Sequence, residues 1–224
     1  MTIPPGGSMA SMETKTEHEL NVQKWQQEKD FFTRWSLYPP IPELLDLIEA
    51  YDPKSFIDMG CGGASYLKIL CEKGLRIFGC DINPQAIAIQ QTQLPPHRLF
   101  QGDLFALHPN ESFDVGLIHG VLYYYTHEEK VEFLSRRAPG FINKAIVLEE
   151  HHYDQPRQMT DYRGIMLHFE NWIELAKELP GWNVKILEKK DPNFLARYIQ
   201  RFIPTYKISE TTQDSKWILL EKKA

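Results

Sequence analysis

Phe56-Ile57-Asp58-Met59-Gly60-Cys61-Gly62-Gly63-Ala64-Ser65 is the stretch that decides the fold. Ser55–Met59 reads as a buried strand, and Tyr66–Lys73 carries a helical pattern with Gly74 as its stop. The glycines between them therefore form a strand-to-helix turn. Glycine lets a backbone turn tightly and approach a ligand with no Cβ in the way. The helix start behind the turn presents unpaired N–H groups, which suit carboxylate or phosphate oxygens.

Working outward, strands and helices alternate. Leu75–Cys80 reads as a second strand. Asn83 and Pro84 are good residues to cap and open a helix that runs to about Gln91. Arg98–Gln101 and Phe113–His119 read as strands three and four. Thr126 caps a helix whose Glu128 and Glu129 suit its N-terminus, running to about Arg137. Asn143–Glu149 is a fifth strand, Phe169–Leu179 an amphipathic helix, and Trp182–Glu188 and Lys216–Glu221 are late strands. This alternation predicts an α/β fold, with a mostly parallel sheet and helices on both faces. Upstream, helical patterning from Glu17 breaks at Tyr38-Pro39-Pro40 and resumes at Pro42. Residues 17–50 are thus expected to form an N-terminal helical lid. Residues 191–214 are long for a strand connection and rich in aromatics, and are expected to be a cap insertion before the last strand. Residues 1–16, rich in Pro, Gly, Ser and Thr, read as a disordered leader.

The bulk numbers bound the function. The chain has 224 residues, 42% hydrophobic and 25% charged, which fits one packed domain over 17–224. A net charge of −5 does not favour a phosphate backbone, so no DNA partner is expected. Cys61, Cys71 and Cys80 lack zinc-ligand spacing and are too few for a disulfide framework. They point to a reduced, cytoplasmic protein with no metal. No apolar run is long enough to span a membrane.

Two details narrow the ligand of the glycine turn. Asp58 sits two residues before Gly60, where a carboxylate would repel a pyrophosphate but attract the amino group and sulfonium of S-adenosylmethionine (SAM). The dinucleotide pattern G-x-G-x-x-G also needs glycine at position 65, which is Ser65. The stretch resembles motif I of the class I SAM-dependent methyltransferases, Asp-x-Gly-x-Gly-x-Gly. Asp58, Gly60 and Gly62 match it, and Ala64 replaces the third glycine. The resemblance covers roughly residues 40–150. It implies a Rossmann-like, seven-stranded sheet with SAM as cofactor and S-adenosylhomocysteine (SAH) as product.

It also implies cofactor contacts from Asp58, Gly60, Cys61 and Gly62. Asp81, ending the second strand, would take the ribose hydroxyls, as acids do in Rossmann sites, and Ile82 would pack on the adenine. Asp103 would accept from the adenine amino group and Leu104 would offer its N–H. His119, at the carboxyl edge of strand four, would lie near the methyl group, orienting the acceptor or taking its proton.

Glu149 and His151 share a strand face at the same edge, so His151 is a second catalytic candidate. Tyr124, Trp35, Tyr38, Arg163 and Arg197 are candidates for the substrate wall. No Asn/Asp-Pro-Pro-Tyr/Phe follows strand four, which argues against nucleobase methylation. The expectation is methyl transfer to a small-molecule oxygen or nitrogen acceptor. Non-methylating SAM chemistry such as cyclisation, or a SAM-binding regulatory subunit, are the alternatives.

Overall fold

The computed structural model describes residues 15–28, 40–63, 65–161, 164–191 and 215–223. Strands β1 (Ser55–Met59), β2 (Arg76–Asp81), β3 (Leu99–Gln101), β4 (Phe113–His119) and β5 (Ile142–His151) pair in parallel. β6 (Arg157–Thr160) and β7 (Met166–Phe169) form a separate antiparallel ribbon. β8 (Trp182–Leu187) and β9 (Ser215–Lys222) complete the main sheet antiparallel to β5 and to each other. The seven-stranded order is β3-β2-β1-β4-β5-β9-β8, the Rossmann-like arrangement expected. The reversal between β1 and β4 is a switch point, and ligands of open α/β sheets bind outside the strand ends there.

Six α-helices accompany the strands among the described residues: α1 (Glu17–Gln27), α2 (Pro42–Glu49), α3 (Tyr66–Glu72), α4 (Pro84–Gln91), α5 (His127–Glu132) and α6 (Trp172–Leu175). The central strands are mostly apolar because both of their faces are covered, with Asp58 of β1 a buried exception. Phe56, Val115, Leu117 and Val147 pack under α2, α3 and α4 with Leu44, Ile48, Leu67 and Leu70. Ile57, Met59, Ile146 and Leu148 meet Phe133, Leu134, Trp172 and Trp182 on the other side. Asp114 starts β4 by accepting the N–H of Lys54 at 2.7 Å, which fixes how β1 begins.

Three features differ from the sequence reading. Thr16 forms a capping box with Glu19 and so belongs to the folded part, where a leader was expected to reach it. The β6–β7 ribbon has no counterpart in the expectation, because exposed Arg157–Thr160 lacks the apolar alternation that marks a strand. The helix expected from Phe169 starts at Trp172, because Asn171 caps it, accepting from Ile173 and Glu174 N–H at 3.0 and 3.2 Å. Phe169 is left to the ribbon.

The ribbon is tied down by buried charge. Lys130 Nζ donates to the His168 carbonyl at 2.6 Å and to Glu170 Oε1 at 2.8 Å, and Glu170 Oε2 meets His127 Nδ1 at 3.0 Å. Helix α1 is tied to the same region: Glu17 Oε1 lies 2.5 Å from His168 Nε2, and Asn21 donates to the Tyr124 carbonyl at 3.3 Å. Among the described residues no helix is long and apolar enough to cross a membrane.

Candidate cofactor and methyl-transfer site

The glycine turn is built as its sequence demands. Gly60 has φ +93° and Gly62 φ +49°, both left-handed. A Cβ on Gly60 would lie 2.3 Å from Val121 Cγ2, so the turn presses against the segment that follows β4. The N–H groups of Gly60 and Cys61 both donate to the Cys80 carbonyl, at 2.8 and 2.9 Å. Gly62 donates its N–H to Asp81 Oδ2 at 2.9 Å and accepts Gln90 Nε2 at 3.0 Å. Turn, β2 and α4 thus hold one another through backbone groups.

A cavity opens beside this turn at the carboxyl ends of β1, β2 and β4. Gly60, Gly62, Asp81, Ile82, Asp103, Leu104, His119 and Tyr124, all marked out from the sequence, line it. Two of their company do not. Cys61 is buried behind the turn, with its N–H spent on Cys80. Asp58 lies beneath the turn, 2% exposed and also off the cavity wall. Burial, reinforced by the neighbouring charge of Asp81, pushes its carboxyl up to about 8. Among the described residues it makes no hydrogen bond.

Asp81 accepts from Gly62 N–H through Oδ2 and from Asn83 N–H through Oδ1 at 2.8 Å. Burial raises it to about 6, against the lowering pull of those N–H donors. Asp103 caps the turn at Leu104–Ala106 by accepting Phe105 N–H at 2.7 Å, while its Oδ2 takes the Tyr125 hydroxyl at 3.1 Å. That same oxygen lies 3.3 Å from His18 Nε2, and His18 Nδ1 lies 3.2 Å from Glu129. Burial works to raise Asp103, but His18, Phe105 N–H and Tyr125 outweigh it and hold the carboxyl below the usual range. The hydrogen bond to Asp103 in turn raises His18, against burial.

His18, Asn21, Val22 and Trp25 bring α1 to the cavity wall. Trp25 falls within residues 17–50, the stretch expected to form a lid. His18 carries no such signal, being one histidine among helical glutamates. Asn83 explains the placement of α1: its amide donates to the carbonyls of Trp25 and, at 2.7 Å, Glu28 while its Oδ1 caps α4. Val121, Tyr123 and Tyr125, also unmarked, complete the wall after β4.

His119 reaches the cavity from the end of β4, and its Nε2 lies 2.6 Å from Glu149 Oε2 on β5. His151, the other catalytic candidate, is not on the cavity wall. Its ring sits among Tyr123, Tyr153 and Phe169 at centroid distances of 6.2, 6.1 and 5.0 Å. Strand alternation gave it the face of Glu149 but not these neighbours, of which the unanticipated ribbon supplies Phe169. Trp35, Tyr38, Arg163 and Arg197 lie outside the described residues, as does the insertion from 192 to 214.

Part of the chain matches a known family. Residues 57–137 match a family model described as a methyltransferase domain. The matched stretch runs from β1 through the helix after β4, and the sheet order around it is that of the Rossmann-like methyltransferase fold.

Solved structures share the fold. The 1,6-didemethyltoxoflavin-N1-methyltransferase of Burkholderia thailandensis, with its substrate and SAH bound, superposes with TM-score 0.62 at 14% identity, covering 92% of this chain and 87% of its own. Magnesium protoporphyrin IX methyltransferase from Synechocystis, with SAM bound, gives 0.61 at 14% identity, covering 94% and 99%. A TehB-like SAM-dependent methyltransferase from Corynebacterium glutamicum gives 0.54 at 19% identity, covering 92% and 98%.

Proposed function

We propose that this chain transfers the methyl group of SAM to a small-molecule acceptor, with His119 at the reacting end. The observation that carries the reading is the cavity itself. It has a backbone-built glycine cradle closed to a Cβ by Val121, carboxylates at the ends of β2 and β3, and a carboxylate-held histidine at the end of β4. The residues present fit SAM. Asp81 and Asp103 line the cavity and offer acceptors to hydroxyl and amino groups. When bound, SAM supplies an electrophilic methyl carbon.

The chain's own residues then position and deprotonate. Trp25, Tyr124 and Val121 exclude water from the wall, and much of the rate comes from holding acceptor and methyl carbon in line. The toxoflavin and porphyrin relatives act on small molecules, in keeping with an acceptor of that class here. The absence of a nucleobase motif after β4 points the same way.

Calorimetric titration with SAM and with SAH tests the reading. Micromolar binding of either is expected, and Asp81→Ala should weaken it by about 1–3 kcal/mol, the range for a lost hydrogen bond to a charged group. A folded protein that binds neither would overturn it and direct attention to nicotinamide cofactors.

A further inference from the structure

Helix α1 walls the cavity with His18, Asn21, Val22 and Trp25, yet little apolar burial holds it there. Among its described residues Asn21 is the one that is buried. Beyond an edge-on contact of the Trp25 and Tyr124 rings at 5.1 Å, its ties are largely polar. Glu17 meets His168, Asn21 donates to the Tyr124 carbonyl, Lys24 donates to the Gly164 carbonyl, and the carbonyls of Trp25 and Glu28 accept from Asn83. An element with few buried apolar contacts opens at low cost.

His18 is the tie that depends on a proton. Its Nε2 lies 3.3 Å from Asp103 Oδ2 and its Nδ1 3.2 Å from Glu129 Oε1. A neutral imidazole has one N–H and one lone pair, so one of the two carboxylates would face a lone pair. Only the imidazolium presents a donor to both. Each carboxylate is fixed from elsewhere: Asp103 by Phe105 N–H and the Tyr125 hydroxyl, and Glu129 Oε2 by Thr126 N–H at 2.8 Å. Around the ring stand Tyr125 at 5.3 Å and Phe105 at 6.1 Å between centroids, and Glu19 of α1 adds a charge that favours the cation. The adjoining tie differs: His168 meets Glu17 through Nε2, but its Nδ1 faces the Gln158 amide at 3.0 Å, so one N–H serves it.

We propose that His18 is a proton-dependent latch on the cofactor cavity: as imidazolium it bridges Asp103 and Glu129 and keeps α1 closed, and loss of the proton frees α1 for cofactor exchange. This rests on the reading of the cavity as the SAM site. Asp103 also lines that cavity, so latch and ligand meet at one carboxylate. The hydrogen bond to Asp103 leads in raising His18 above 6.5, with burial opposing it and the charges of Asp103, Glu129 and Glu19 adding to it. The bridge is therefore complete below 6.5 and is lost as pH rises through the higher folded value.

Surface plasmon resonance of the immobilised full chain with SAH, from pH 6 to pH 9, reads the exchange. The association and dissociation rate constants should rise together with pH, by about tenfold, the equivalent of one pKa unit of coupling. In His18→Gln that rise should disappear. Asp58 and Asp81 are present in both proteins, so the difference between the two profiles belongs to His18. Rate constants that stay level in the wild type, or a rise that His18→Gln leaves intact, overturn the proposal. Hydrogen exchange of the ligand-free protein reads the helix itself. Protection of Glu17–Gln27, corrected for the intrinsic rate, should fall about tenfold from pH 6 to pH 9 while the β4 amides hold theirs. Equal protection at both pH values overturns the latch whether or not SAH binds, and the wild-type profiles decide even if the variant does not fold. Protection that falls as expected in a protein that binds no SAH upholds the latch and removes the cofactor reading instead.

Discussion

The two halves of the cavity are built by different means. On the β1–β3 side the cradle is made largely of backbone: glycine dihedrals, and N–H groups of Gly60, Cys61, Gly62 and Phe105 that donate to the Cys80 carbonyl and to the carboxylates of Asp81 and Asp103. On the β4–β5 side the site is made of side chains from distant segments: His119 on Glu149, Lys130 on Glu170, and the ribbon packed on His151. Each half also strands a carboxyl, and burial is the leading cause in both. Asp58 and Glu150 are both pushed up to about 8. Glu150 nevertheless has Lys130 and the N–H of Leu122 drawing it down, while Asp58 has only the repelling Asp81. A site of backbone can be written in a contiguous motif. A site of converging side chains cannot.

Changes confined to one half sharpen that contrast. Lys130→Met should be the most destabilising, about 3–5 kcal/mol, because it leaves Glu170 buried without its ammonium partner. Denaturant unfolding measures it, and SAH affinity of the folded fraction should change far less. Gly60→Ala should do the reverse. The strained left-handed residue and the clash with Val121 should cost about 1–3 kcal/mol and abolish measurable SAH binding. Near-normal calorimetric affinity would show that the cradle gives way easily.

Asp58→Asn should stabilise the ligand-free protein at pH 8, on the order of 5 kcal/mol. The sign follows from a folded-state value of about 8 against an ordinary 3.8. The folded state keeps a proton that the unfolded chain has lost, so wild-type stability declines as pH rises between those two values. The melting-temperature gap between variant and wild type should therefore close near pH 4.

His18→Asn should show the smallest effect, about 1 kcal/mol after allowing for partial exposure, and the opposite pH trend. A raised histidine stabilises fully below its unfolded value of 6.5 and loses that contribution as pH rises through its higher folded value. Melts at pH 6 should separate variant from wild type, and melts at pH 9 should not. A gap that persists at pH 9 would make the role of His18 one of packing.

What was legible follows the same division. The parallel strands were readable because strands buried on both faces are mostly apolar, and Asn83-Pro84 and Thr126 are local signals that act locally. The β6–β7 ribbon was not readable, since its exposed strand has no pattern and its other strand is set by contacts with His151 and Lys130. Asn171 was a cap in plain view that would have moved the last helix boundary. Asp58 and Cys61 were read from motif spacing as ligand contacts, but spacing does not reveal which side of a turn a side chain occupies.

The sequence by itself determined the strand-to-helix turn, the alternation that yields a Rossmann-like sheet, and the acids at the ends of β2 and β3. These depend on local dihedral preference and on periodicity over a few residues. Only the tertiary structure decided that α1 walls the cavity through His18 and Trp25, that His119 rests on Glu149, and that Lys189 and Ser215 meet there. Those contacts join residues up to about a hundred positions apart, and strand order rather than sequence order brings them within hydrogen-bonding reach.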